Sequence, residues 1–388
     1  MRKRLLLVGG GHAHLFVLEA LRLQRALWRE RLEVTLLSRD VMTPYSGMLP
    51  GLIAGHYRSS ECHVDLRPLA QSAGIDLVQA SVDQIDLQRN VATAQGREWR
   101  FDLVSLDIGS SPPLALVPGA TEHALGIKPI DVFLQQWHAL EQASAALQRP
   151  IHIVMVGGGA GGVEMVLAMA HRLRTRRSLV KLSLVTRAAL LPAYPRRAAR
   201  LVMGHLEAAG VALLTGASVS LVTPGRLNFD NGSTASFDHL LWATGAVAQP
   251  WLAQSGVATV DGGFVQINQH LQSVSHPQLF AAGDIASNPQ QSRPKAGVFA
   301  VRQGPILAQN LLHQVFGDAL IEYRPQRDYL SLLTTGSRHA IACWYGLVWQ
   351  GDWVWRWKDG IDRRFMRRFA LPLQPADPLP EPGHDDRA

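Results

Sequence analysis

Apolar residues recur along this chain in one repeated order. Residues 4–8, RLLLV, form a short apolar run that suits a buried strand, and Val17, Leu18, Leu21 and Trp28 then follow at helical spacing. LEVTLLS at 32–38 predicts a second strand. The order returns with PIHIVMV at 150–156, with Val163, Val166, Ala170 and Leu173 at helical spacing, and with the strand VKLSLVT at 180–186. Strand–helix–strand units of this kind predict an α/β fold of parallel sheets with crossover helices. Three more apolar strands are predicted in WRFDLVSLDIGSSP, ASFDHLLWATGAVAQP and HPQLFAAGDIASNP, and AGVFAVRQGPILAQNLL predicts a helix.

The pattern changes over residues 326–371. HAIACWYGLVWQGDWVWRWKD holds five tryptophans, and Trp349, Trp353, Trp355 and Trp357 flank a Gly-Asp pair with period-two alternation after it, which predicts a β-hairpin. In KDGIDRRFMRRFA, Ile361, Phe365 and Phe369 share one helical face, with Arg363, Arg364, Arg367 and Arg368 elsewhere on the turn. Aromatic residues beside a basic amphipathic helix suit an anionic membrane surface; the same features suit packing on the body or on a second subunit of a homodimer. The tail 372–388, rich in proline, is expected to be disordered.

Composition narrows this picture. At 388 residues with 47% hydrophobic and 18% charged, the chain is globular and long enough for two or three domains. The net charge of +7 fits a membrane or nucleic-acid partner, or an enzyme with anionic cofactors. No nucleic-acid motif appears. Cys62 and Cys343 stand far apart with no CxxC, as suits a reducing cytosol. The apolar part of MRKRLLLVGG is too short for a signal peptide, and no stretch reaches the length of a membrane span. A cytoplasmic protein is expected, or one peripheral on the cytoplasmic face of the inner membrane.

Two glycine turns sit where strand passes into helix. The second, Gly157, Gly159 and Gly162, satisfies GxGxxG in full. The first has Gly9 and Gly11, with His14 in the third place, which requires its side chain to lean away from the sheet or the helix to sit farther off. In such turns the first glycine allows the bend, the second admits a diphosphate to the backbone, and the third lets helix pack on strand. The helix N-terminus then faces the phosphates with free N–H groups. A metal site at His12 and His14 fails, because residues two apart on a helix do not face one another and no further ligands stand near. The acid that bonds a ribose diol is missing at both second strands: Ser38, Arg39 and Asp40 close the first, Thr186 and Arg187 the second. Arg187 suits a 2′-phosphate, or is an exposed arginine. Asp284 in the Gly283-Asp284 turn suits a polyol hydroxyl, or is a turn aspartate.

Taken in order, glycine turn, Asp107-Ile108-Gly109, glycine turn, Ala243-Thr244-Gly245 and Gly283-Asp284 resemble the pyridine nucleotide–disulfide oxidoreductase superfamily over about residues 4–315. The resemblance implies two Rossmann-like parallel-sheet domains: a discontinuous FAD domain, 1–115 and 250–325, and an inserted NAD(P)H domain, 116–249, followed by a C-terminal cap, 326–371. It implies that Gly9, Gly11, His12, Ser38, Arg39, Gly109, Gly283 and Asp284 hold FAD, and that Gly157, Gly159, Gly162, Arg187, Thr244 and Gly245 hold NAD(P)H. Asp107 departs from the alanine usual in that place. No cysteine pair serves the disulfide-reductase branch, and Cys343 alone could match the sulfide:quinone branch. What remains resembles the type II NADH:quinone oxidoreductases, whose C-terminal region anchors them to membranes. VGGGHAH, TPYSGMLPGLIAGHY and RPKAGVFAVRQGP are further similar to a bacterial flavoprotein found fused to selenide, water dikinase.

That resemblance gives Glu164 a place near the nicotinamide, against that of an ordinary first-turn carboxylate. It sets Lys295 at the flavin N1–C2=O edge, against a surface lysine after proline, and Gln303 in a quinone site or in solvent. Tyr45, Met48 and Pro50 become an apolar wall beside the isoalloxazine, or a packed loop. The implied activity passes hydride from NAD(P)H to FAD and then electrons to a quinone or similar acceptor. The alternative is a redox-sensing or partner-regulating module, linked to selenium metabolism, with little quinone turnover.

Overall fold

The structure is a computed structural model that describes residues 2–144, 149–175 and 179–371. The predicted tail 372–388 lies outside them.

The first apolar run becomes the strand Lys3–Val8, at the centre of a five-stranded parallel sheet. Across it the order is Leu279–Ala281, Leu103–Leu106, Lys3–Val8, Leu32–Ser38 and Asp76–Gln79. Leu5 to Val8 are buried because both faces of the sheet are covered, which is why the run is continuous rather than alternating. The helix His12–Leu23 packs against the helix Gly297–Phe316, and Gly304 makes that approach possible: a Cβ there would press on the Phe16 ring.

A second five-stranded parallel sheet repeats the plan in the order Leu125–Gly126, His239–Trp242, Ile151–Val156, Val180–Thr186 and Val211–Thr215. All its strands lie between strands Leu103–Leu106 and Leu279–Ala281 of the first sheet. Each sheet has its own apolar core.

The C-terminal part departs from the predicted hairpin. An antiparallel sheet of Ser331–Thr334, Ala340–Trp344 and Leu347–Gly351 turns at Tyr345-Gly346. Gly351, at φ 147°, then ends the strand, and Asp352–Phe369 is one helix. Trp353, Trp355 and Trp357 are therefore helical. Trp353 and Trp357, four residues apart, stack at 6.3 Å and are exposed, whereas Trp355 is buried on the other side. Phe369 and Phe365 pack on Phe16 and Tyr45, but Ile361 of the predicted face is exposed. The arginine cluster is partly spent on the body: Arg363 pairs with Glu61 and Asp359, and Arg368 with Glu19. No helix among the described residues is long and apolar enough to cross a membrane.

Candidate active site

The first glycine turn opens into a cleft of about 620 Å³. It runs from Gly9, Gly10, Gly11 and His12 past Ser38 and Arg39 to Gly109, Asp284 and Gly297. The turn has no room for side chains. A Cβ on Gly9 would overlap Asp107 O, and one on Gly10 would meet Leu66 and the Ser38 and Thr43 hydroxyls. Gly9 has φ +92°, which independently favours glycine.

At the far end stands a charged cluster. Lys128 Nζ lies 2.6 Å from Asp284 Oδ2, and Ser110 Oγ donates to the same oxygen at 3.1 Å. Burial alone would raise the Asp284 carboxyl. The Lys128 ammonium and its hydrogen bond, with Ser110 and Lys295, outweigh burial and hold it below the usual carboxylate range. Gln303 is not solvated. It is buried, and its Oε1 accepts from Gly283 N at 2.7 Å, fixing the turn that carries Asp284.

Lys295 reaches the Ala286 carbonyl at 2.7 Å and lies over the Phe264 ring at 3.9 Å. With Asp284, Gln303 and Phe299 it lines a smaller cavity beside the turn. Burial pushes its ammonium down to about 8, against the pull of Asp284.

The apolar wall expected from Tyr45, Met48 and Pro50 faces elsewhere. Tyr45 stacks on Phe365 at 4.3 Å, Met48 is buried beside Tyr57 and Trp355, and Pro50 is buried in the first turn of helix Leu49–Ala54. Tyr45 and Met48 form part of the seat of the C-terminal helix, whose Lys358 also reaches Gly47 O at 2.6 Å. Pro44 and Ser46 line the cleft in their stead. Ser38 Oγ is turned to Asp40 O, and Arg39 pairs with Asp40 and with Asp131.

At the second turn Gly157 has φ +136°, and a Cβ on Gly162 would overlap Gly157 O. Nothing stands within 4 Å of a Cβ on Gly159, so its open side is free for a ligand. Thr186 Oγ1 bonds Ala188 O, leaving Arg187 exposed at the strand's end. Gly245 has φ +64°, close after Thr244 at the end of the neighbouring strand. Glu164 lies beyond the first turn of the helix Ala160–Thr175. Its Oε1 accepts from Thr334 N at 2.8 Å and Thr334 Oγ1 at 2.9 Å, tying this helix to the C-terminal sheet. Burial raises its carboxyl, with Lys358 opposing.

Both cysteines are free and buried. Burial drives the Cys62 thiol up to about 12 and the Cys343 thiol to about 11, so neither is a ready thiolate.

Residues 3–304 match the pyridine nucleotide-disulphide oxidoreductase family. This chain belongs to that family. It is thus a flavoprotein oxidoreductase that uses FAD and NAD(P)H, and the bare glycine backbone of both turns, with nothing near a Cβ at Gly159, suits such ligands. Among relatives, the demethylphylloquinone reductase of Synechocystis is 25% identical over 358 residues, covering 87% of this chain and 86% of its own. An NADH dehydrogenase-like protein of Mycobacterium tuberculosis is 27% identical, covering 87% of each. In fold, the sulfide:quinone oxidoreductase of Aquifex aeolicus superposes with a TM-score of 0.78 at 19% identity, over 95% of this oxidoreductase and 91% of that chain. NDH2 of Plasmodium falciparum, in complex with NADH, gives 0.77 at 14%, over 97% and 100%.

The sequence singled out Asp284, which borders the cleft, but not its partner Lys128, which sits in an ordinary connection with no motif around it. It also left His14 and Asp107 as departures from a pattern, although the structure joins them at one end of one helix.

Proposed function

We propose that this oxidoreductase passes two electrons from NAD(P)H through FAD to a quinone, without a redox-active disulfide. One observation carries the reading. A cleft sized for a dinucleotide leads from a glycine turn to the Asp284–Lys128 pair, and both thiols are buried and protonated. FAD, when bound, supplies hydride acceptance and electron donation in a single ring system.

The chain's residues bind and align. Gly9 and Gly11 admit the diphosphate, Asp284 accepts from a polyol hydroxyl, and Gln303 holds the Asp284 turn in place. Lys295 sets positive charge near the reacting ring, and Gly157, Gly159 and Gly162 receive the pyridine nucleotide with Glu164 close by. Residues 1–115 and 250–325 form the FAD unit and 116–249 the inserted NAD(P)H unit. The demethylphylloquinone reductase relative supports a quinone as acceptor. The purified protein should show a flavin spectrum that NAD(P)H bleaches and a soluble quinone restores. Bleaching with no quinone-driven return would refute the acceptor.

The second strand of the inserted unit ends in Thr186-Arg187 where an NAD-specific site carries an acid. NADPH should therefore serve as well as NADH. Arg187→Ala should lower kcat/KM for NADPH by about tenfold and leave NADH nearly unchanged, as steady-state kinetics with each nucleotide will show. Equal loss with both would remove the 2′-phosphate role.

A lipid-soluble quinone also needs access from a membrane. Trp344, Tyr345, Leu347, Trp349, Trp353, Trp357 and Ile361 are exposed together on the C-terminal hairpin and helix, with Arg356 and Arg364 beside them. This surface docks on anionic lipid. Trp353→Ala with Trp357→Ala should cut co-sedimentation with anionic vesicles about tenfold while turnover with a soluble quinone persists. Unchanged sedimentation would refute the surface.

A further inference from the structure

The two glycine turns differ where helix meets sheet. In the second, Gly162 lays bare backbone against Gly157 O. In the first, His14 holds that place and is fully buried, yet it does not lean away from the sheet. Its ring enters the layer, with Nδ1 2.6 Å from Gly9 O and Nε2 2.9 Å from Ser105 Oγ. A carbonyl only accepts, so Nδ1 donates and Nε2 accepts from the serine. Burial pushes the ring down to about 4, so it stays neutral.

The second difference lies two residues beyond Ser105. Asp107 N donates to Val8 O, as Ala243 N does to Val156 O in the second unit, so the positions correspond. Where the second unit has a methyl group, the first has a buried carboxylate. Asp107 Oδ2 accepts from Ala13 N at 2.7 Å and from His14 N at 3.0 Å. Those are first-turn donors of the His12–Leu23 helix, part of what such a helix presents to a phosphate. The carboxylate also borders the cleft: a Cβ on Gly11 would overlap it, and one on Gly283 would stand 2.8 Å from Oδ1.

A dinucleotide diphosphate brings two negative charges to a place that already holds one. We propose that Asp107 is a cofactor-site residue that takes up one proton as the dinucleotide binds at the first turn. The proton comes from solvent, adds to Oδ1 and returns to solvent on release; no electrons move, and Oδ2 keeps its two N–H bonds. The inference rests on FAD occupying this turn.

The surroundings agree. Burial, and then the charge of Asp284, push Asp107 up to about 7 against its two backbone donors. Lys128 and Lys295 face Asp284, and from the helix His14 is neutral while burial also lowers His12. Lys295, at about 8, titrates in a neighbouring range. Above pH 7 the free site is ionised and must gain a proton with the ligand, so affinity falls as pH rises; below it the proton is already present and affinity levels off.

The test measures FAD affinity of the flavin-stripped full chain from pH 6 to 9 by flavin fluorescence, for the natural protein and Asp107→Asn. Calorimetry in two buffers of different ionisation enthalpy counts protons. The natural protein should show a Kd that climbs toward tenfold per pH unit above about 7, with net proton uptake. Asp107→Asn, whose amide oxygen can still accept from both N–H groups, should show a flat Kd and no uptake. A flat profile without uptake in the natural protein overturns the inference. So does a variant that keeps the slope, which would assign it to Lys295. If the variant does not fold, Lys295→Arg decides, since its guanidinium stays charged across the range: uptake that persists in it keeps the inference, and uptake that is lost overturns it. FAD bound without uptake sinks this inference only; no FAD bound at any pH removes the proposed function with it.

Discussion

Gly162→Ala is expected to yield a protein that keeps its flavin but is no longer bleached by NAD(P)H. The added methyl would overlap Gly157 O, and Gly157 cannot retreat, since its N–H is bonded to Val185 O at 2.8 Å in the sheet. The helix Ala160–Thr175 must therefore lift from the strand Ile151–Val156, carrying the N–H groups of its first turn out of place. Overpacking of this kind costs about 1–3 kcal/mol, and the displaced helix end costs nucleotide binding in addition. Gly159→Ala supplies the contrast. Its methyl meets nothing in the protein, so melting should match the parent while KM for NAD(P)H rises by about tenfold, through the ligand alone. Stopped-flow bleaching and thermal melts separate the two. A Gly162→Ala protein bleached at the normal rate would refute the packing argument.

Asp284→Asn is expected to leave the fold intact and the purified protein largely colourless. The carboxylate accepts from Lys128 and Ser110 and borders the cleft, and its charge keeps Lys128 turned inward. An amide loses both the charge and part of the acceptor capacity. A hydrogen bond to a charged group is worth about 1.5–3 kcal/mol, so FAD should bind roughly ten- to hundredfold more weakly. The fold should lose little, because Lys128 is 36% exposed and can turn to water. Fluorescence titration with FAD and a melt of the stripped protein check both halves. Full retention of flavin would take Asp284 out of the site.

The parallel sheets were legible in the sequence because buried strands read as unbroken apolar runs and the glycine turns punctuate them. RLLLV and PIHIVMV became the central strands of their sheets. The tryptophans misled because period two is only a local cue. Gly351 reset the backbone before Trp353, and a helix then sorted 353 and 357 outward and 355 inward. Around the cleft, side chains at the end of a strand or turn could be singled out from the sequence, as with Asp284. Long-range partners could not. Gln303 was named, but its bond to Gly283 N at 2.7 Å was not, and Lys128 stands out only once its own connection is brought against Asp284. His14 was visible as an exception, but its meaning depended on Ser105, a strand apart.

The interleaved order of the strands has a consequence for biogenesis. Leu103–Leu106 leaves the ribosome early and remains an open edge until Leu279–Ala281 emerges to pair with it. At roughly 5–20 residues per second that wait is on the order of ten to thirty seconds, long enough for the whole intervening sheet to assemble first. The nascent chain thus carries a bare, sticky margin while its neighbour is already closed, and a chaperone or early flavin capture would matter most in that interval.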